Sequence, residues 1–141
     1  MQLKRSARTI KEIIVHCTAT KENIEYTVED IRQWHKSQGW SDIGYHYVIY
    51  LDGSIHEGRD VDIAGAHCKG HNSISIGVVY IGGLDKDGNS KDTRTEAQKE
   101  GLRILLSELK ELYPEANIYP HYKFANKACP CFDVEEEYKD L

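Results

Sequence analysis

Apolar positions along the chain change period several times, and each change marks an element. The run Ile13-Ile14-Val15-His16-Cys17 is β-branched and apolar almost throughout, the pattern of a strand buried on both faces. Alternation along it sends His16 and Cys17 to opposite sides. A second run of this kind, Ile74 to Ile81, is stopped by Gly82-Gly83. Between the two, Val28, Ile31 and Trp34 recur at helical spacing behind Thr27-Val28-Glu29-Asp30, a capping box with Asp in place of Glu or Gln, and Gly39 ends the pattern. Tyr45 to Leu51 then reads as a strand, Asp52-Gly53 as a tight turn and Ser54-Ile55-His56 as the return strand of a hairpin.

The segments between these runs are polar or glycine-punctuated: a loop from Ile63 to Asn72 and another from Asp85 to Thr93. A full capping box, Thr95-Glu96-Ala97-Gln98, opens a second helix, in which Leu102, Leu105, Leu106 and Leu109 fall on one face before Pro114 closes it. A short strand around Asn117 to Tyr119 and a helical turn or two after Asp133 complete the series. The expected fold is α/β: a single domain with helices packed on a sheet.

Composition narrows this further. With 141 residues, 40% hydrophobic and 29% charged, the chain is long enough for one sizeable core, so one domain over 1–141 is expected, its core at about 11–134. A net charge of -5 argues against a surface built to neutralise phosphates, and nucleic acid is not an expected partner. No apolar stretch approaches the roughly 20 residues of a membrane span, so no membrane insertion is expected. The basic segment from Lys4 to Lys11 is not followed by the apolar run of a signal peptide. The expected location is therefore cytoplasmic as synthesised, with any cell-wall access by lysis or non-classical export, and the expected state is a monomer. The cysteines Cys17, Cys68, Cys129 and Cys131 form no CxxC pair and are read as reduced thiols.

Hydrolytic zinc sites combine three imidazole, thiolate or carboxylate ligands with one open position. His16 near the end of a buried strand, with His121 and Cys129 in a late turn-rich segment, would form such a set if that segment crosses the end of the first strand. Each residue alone also has a plainer role: a hydrogen-bonded core histidine, a surface histidine before a loop, and a small buried hydrophobe. Two other motifs are near misses. His56-Glu57 begins like HExxH but has Asp60 where the second histidine belongs, and Asp85, Asp87, Asn89 and Glu96 imitate a calcium loop with Ser90 in place of its glycine.

The segments VHCTAT, IRQWHKSQGWSDIGYHYVI, GRD at Gly58 to Asp60, AHCKGHNSISIGV and NKACPCFD span most of the chain in a single order. In these five blocks the sequence resembles the type 2 N-acetylmuramoyl-L-alanine amidases, a family that includes small phage lysozyme-amidases and peptidoglycan recognition proteins. The resemblance implies a mixed sheet flanked by helices and one Zn2+ per chain, bound by His16, His121 and Cys129. It places Tyr45 and Lys127 beside the open coordination position and Ala66 and His67 along the substrate groove.

The implied reaction is hydrolysis of the amide between the lactyl group of N-acetylmuramic acid and L-alanine by a zinc-activated water, with peptidoglycan or a muropeptide as partner. Lys127, cationic at neutral pH, would stabilise the oxyanion, and Tyr45, a poor base, would orient groups or pass a proton. The alternative is a non-hydrolytic peptidoglycan-binding or regulatory module with a structural zinc. Such members commonly lack the cysteine ligand, so Cys129 favours an enzyme. His46 points away from Tyr45 along the strand, His35 is read as structural and Cys131 as packing. After His121 many bacterial members carry Arg-Asp, whereas this chain has Tyr122-Lys123, which bears on stem-peptide preference.

Overall fold

In the computed structural model, which describes residues 2–141, the two long apolar runs lie side by side as parallel strands at the centre of a sheet. Met1, the first residue of the expected domain, lies outside the described residues. The elements in chain order are β1 (Glu12–Cys17), β2 (Thr20–Lys21), α1 (Val28–Ser37), β3 (Tyr47–Ile49), β4 (Ile55–Glu57), β5 (Ser75–Tyr80), β6 (Gly83–Leu84), α2 (Glu96–Leu112), β7 (Asn117–Pro120) and α3 (Val134–Glu137). Single 3-10 turns sit at Asn72–Ile74 and His121–Lys123.

The main sheet runs β4-β3-β5-β1-β7. β1 is parallel to both β5 and β7, β3 is parallel to β5, and only the hairpin pair β3-β4 is antiparallel, so the sheet is mixed, as the family resemblance implies. Burial of β1 on both faces explains its unbroken apolar character. The hairpin strand is shorter than its apolar run: Tyr45 and His46 lie ahead of β3. A separate two-stranded pairing, β2 with β6, has no counterpart in the periodicity because two residues are too few to show one.

Two apolar layers enclose the sheet. On one face Ile13, Val15 and Cys17 of β1 join Ile76, Val78 and Tyr80 of β5 and the stripe Leu102, Leu105, Leu106 and Leu109 of α2. On the other, Ile31 of α1 packs with Ile43, Val48, Val79 and Ile81, and Tyr45 lies against this cluster. His16 has the opposite parity to Val15 and Cys17 and so belongs to this second face.

Both helices start at the boxes read from sequence. Thr27 accepts from the Asp30 amide, and Thr95 from the Gln98 amide, each with the reciprocal bond present. Gln98 does more than cap: fully buried, its Nε2 donates to the Ile81 carbonyl at 3.0 Å, while Thr95 Oγ1 donates to the Leu51 carbonyl at 2.7 Å. The start of α2 is thereby fastened to the sheet ends that support the hairpin.

Candidate metal centre and groove

Parallel pairing of β1 with β7 brings the site together. Val15 is in register with Pro120, so the residues that follow, His16 and His121, emerge beside each other at the sheet's end although 105 positions apart in the chain. Their Nδ1 atoms are 3.1 Å apart. The loop after His121 folds back through a bond from the Tyr122 amide to the Cys129 carbonyl, 2.9 Å, and the Cys17 amide donates to Cys129 Sγ at 3.1 Å. One ligand atom from each of His16, His121 and Cys129 then lies within 4.8 Å of the others.

The electrostatics favour ligand forms. Burial holds the His16 imidazole well below its ordinary pKa, helped by His67, His121 and Lys127. Burial, with the charge of Lys127, also lowers that of His121, so the neutral form is favoured in both rings. For Cys129 the hydrogen bond with the Cys17 side chain and the Cys17 amide outweigh its burial and lower its pKa, which for a thiol favours the charged form, the thiolate. Two lone-pair nitrogens 3.1 Å apart repel unless a proton or cation lies between them. Two neutral imidazoles and a thiolate are a donor set that suits Zn2+, so the residues present fit the group the family implies.

Around this cluster opens a groove of about 530 Å3 lined by Trp40, Tyr45, Ala66, His67, His121 and Lys127, with Phe124 and Lys69 among its further walls. Tyr45 stands with its ring centroid 5.1 Å from that of His16. Burial pushes its phenol above the ordinary range, which keeps the hydroxyl protonated. Lys127 is exposed on the loop between the two late ligands. All seven residues singled out from sequence, His16, Tyr45, Ala66, His67, His121, Lys127 and Cys129, thus sit in the cluster or on the groove. His67 is placed differently from a simple wall residue: its Nδ1 is 2.8 Å from His16 Nε2 and its Nε2 3.2 Å from Ser75 Oγ.

The remaining histidines have structural partners. His46 Nδ1 accepts from the Gly77 amide at 3.0 Å, which leaves Nε2–H to donate to the Ile63 carbonyl at 2.8 Å, and burial lowers its pKa to about 4. His35 Nδ1 accepts from the Gly44 amide at 2.8 Å. Among the motifs set aside, His56 stacks on Tyr50 in the edge hairpin, and Asp85 Oδ1 is taken by the amides of Asp87 and Asn89. All four cysteines are free thiols, with Cys17 Sγ 4.0 Å from Cys131 Sγ. The groove residues that pattern reading passed over include Trp40, Lys69 and Phe124. An aromatic or a lysine in a loop carries no periodic signal.

Fold and cluster together define a mixed α/β domain with a histidine-cysteine centre at the floor of an open groove. The chain belongs to the N-acetylmuramoyl-L-alanine amidase family, whose model matches residues 6–132, and it is an enzyme with that amidase activity. It is 50% identical over 124 residues to an endolysin of Klebsiella phage KP32, covering 88% of this chain and 82% of that protein. Among solved structures it is similar to the N-acetylmuramoyl-L-alanine amidase LysC from Clostridium intestinale, with a TM-score of 0.78 at 26% identity, covering 98% of this chain and 91% of the other. The ectodomain complex of the peptidoglycan recognition proteins LCa and LCx bound to tracheal cytotoxin matches with a TM-score of 0.77 at 30% identity, covering all of this chain (100%) and 87% of that one. No helix among the described residues is long and apolar enough to cross a membrane.

Proposed function

We propose that the chain is a zinc-dependent amidase that acts as a monomer on the bond between the lactyl group of N-acetylmuramic acid and L-alanine in peptidoglycan. The observation that carries the reading is the convergence of His16 Nδ1, His121 Nδ1 and Cys129 Sγ at the groove floor. These three residues would hold the ion, the imidazoles as neutral donors and the cysteine as thiolate. Zinc bound there supplies Lewis acidity toward the scissile carbonyl and lowers the pKa of water to about 7.

The chain's own groups divide the rest. The Trp40, Ala66 and Phe124 walls hold the stem peptide so that its first amide lies over the cluster. Tyr45 Oη, kept protonated by burial, donates a hydrogen bond to the carbonyl oxygen or orients the attacking water, and does not act as a base. Lys127 Nζ stabilises negative charge as it builds on that oxygen. The endolysin relatives favour a bacterial wall at lysis as the setting. The purified protein is expected to carry about one zinc per chain and to release stem peptides from sacculi. Cys129→Ala should lose both, measured as metal content and as free stem peptide by mass spectrometry. Undiminished release by that variant would refute the reading.

A further inference from the structure

Both ring nitrogens of His67 face protein groups. Its Nδ1 faces His16 Nε2 at 2.8 Å, and its Nε2 faces the hydroxyl of Ser75, a fully buried residue at the start of β5, at 3.2 Å. The backbone that carries it is clamped, since Asn72 Oδ1 accepts from the amides of both His67 and Cys68 at 3.0 and 2.9 Å. The ring also has a slot cut for it. A Cβ on Gly77, in the middle of β5, would lie 2.6 to 2.8 Å from three atoms of the imidazole, and one on Gly65 would lie 2.6 Å from its Cδ2. Glycine within a buried strand otherwise weakens packing, and close approach by another group is the usual reason for it.

Proton positions along this line follow from one requirement, which rests on the zinc reading above. His16 Nδ1 is the nitrogen that faces His121 and so must present a lone pair to a shared ion. Its proton is then on Nε2 and is donated to His67 Nδ1. His67 in turn carries its proton on Nε2 and donates to Ser75 Oγ. Each link fixes the tautomer of the next, and the line ends in a buried hydroxyl on the central sheet. Metal-bound histidines depend on such an outer partner for ring orientation and basicity.

We propose that His67 is a positioning residue for the metal centre: supported by Ser75 and seated in the Gly77 slot, it fixes the tautomer and ring plane of His16. This is a different role from binding substrate. Removing a side chain that only grips substrate raises KM and leaves metal affinity alone, whereas removing a positioning residue weakens metal binding and lowers kcat.

The test compares His67→Asn, whose Oδ1 stands near the position of Nδ1 and still accepts, with His67→Leu, which cannot. Zinc affinity is measured by competition with a chromophoric chelator, and the tautomers of His16 and His67 are read by long-range 15N–1H NMR of the zinc-loaded wild type. The expected spectrum shows Nε2–H on both rings. His67→Leu is expected to lose about 10–100-fold in zinc affinity, with His67→Asn recovering most of the loss. Ser75→Ala, which removes one oxygen from a strand that keeps its ladder, serves if His67→Leu does not fold, and it is expected to weaken zinc several-fold. The inference is overturned if the decisive variant binds zinc within twofold of wild type, or if His16 carries its proton on Nδ1. Wild type that binds no zinc would instead remove the metal reading itself, and the inference with it; one zinc in wild type and none in Cys129→Ala keeps the two failures distinct.

Discussion

Lys127 and Tyr45 have different parts in the proposed mechanism, the first as a charge beside the carbonyl oxygen and the second as a hydroxyl donor, and single substitutions separate them. Replacing Lys127 with Met removes the charge but no proposed ligand atom. Turnover should fall about 10²–10³-fold with zinc content unchanged, the loss typical of one oxyanion donor. Tyr45→Phe keeps the ring that packs beside His16 and deletes only the hydroxyl. It should lower kcat by about 10²-fold and leave metal content and KM near wild type, as steady-state kinetics on a defined muropeptide would show. A fall in zinc content with either variant would place these residues at the metal instead. His46, next to Tyr45 in the segment ahead of β3, makes its bonds to Gly77 and Ile63 and takes no part in the cluster. The inward bonds of His67 were invisible in the sequence, because they depend on Ser75 and Gly77 of another element.

The elements themselves follow from local chemistry wherever a cap or a long apolar stripe marks them. α2 begins at the Thr95 box and buries the leucine face that its spacing announces. Its approach to the hairpin does not follow from any such signal. Gly101 sits on the buried side of α2, and a Cβ there would lie 2.1 Å from the Gly53 carbonyl oxygen in the hairpin turn. Helix propensity alone favours Gly101→Ala by about 1 kcal/mol. The clash is with backbone, which cannot swing aside as a side chain does, so the net effect should be a destabilisation of about 1–3 kcal/mol. A lower urea midpoint at unchanged m-value would register it, and a raised midpoint would show that helix and turn separate freely.

Across the molecule, the C-terminal segment is tied back by one buried cation. Arg94, its side chain only 2% exposed, bonds both oxygens of Asp92 and both of Glu137, and lies with its guanidinium 3.4 Å from the Phe132 ring centroid. For Asp92, burial raises the pKa but Arg94 outweighs it; for Glu137, the Arg94 bonds dominate. Both carboxylates end below their ordinary values. A carboxylate lowered in the folded state binds its proton more readily unfolded. The stabilisation is therefore complete above the ordinary carboxylate range near pH 4, and it is lost as pH falls through the lower folded values. Thermal midpoints should decline from pH 5 toward pH 3. Arg94→Gln should cost about 2–3 kcal/mol at pH 7, less than a fully buried pair because the carboxylates reach water, and should flatten that decline. An unchanged acid slope in the variant would assign the decline to other groups.

Order along the chain was enough for the longer strands, the two capped helices, the α/β class and the candidate site residues, because period, caps and side-chain type are local properties. Five separated blocks of residues were enough for the family. Where those groups meet was not local. His16 and His121 become neighbours only because β7 pairs in parallel with β1 in a register that aligns Val15 with Pro120, and Cys129 joins them only through the return of its loop to the Cys17 amide. The β2-β6 pairing, the slot for His67 and the Arg94 tether arise the same way. Each joins segments whose separation no periodicity encodes, and packing in three dimensions alone sets its geometry.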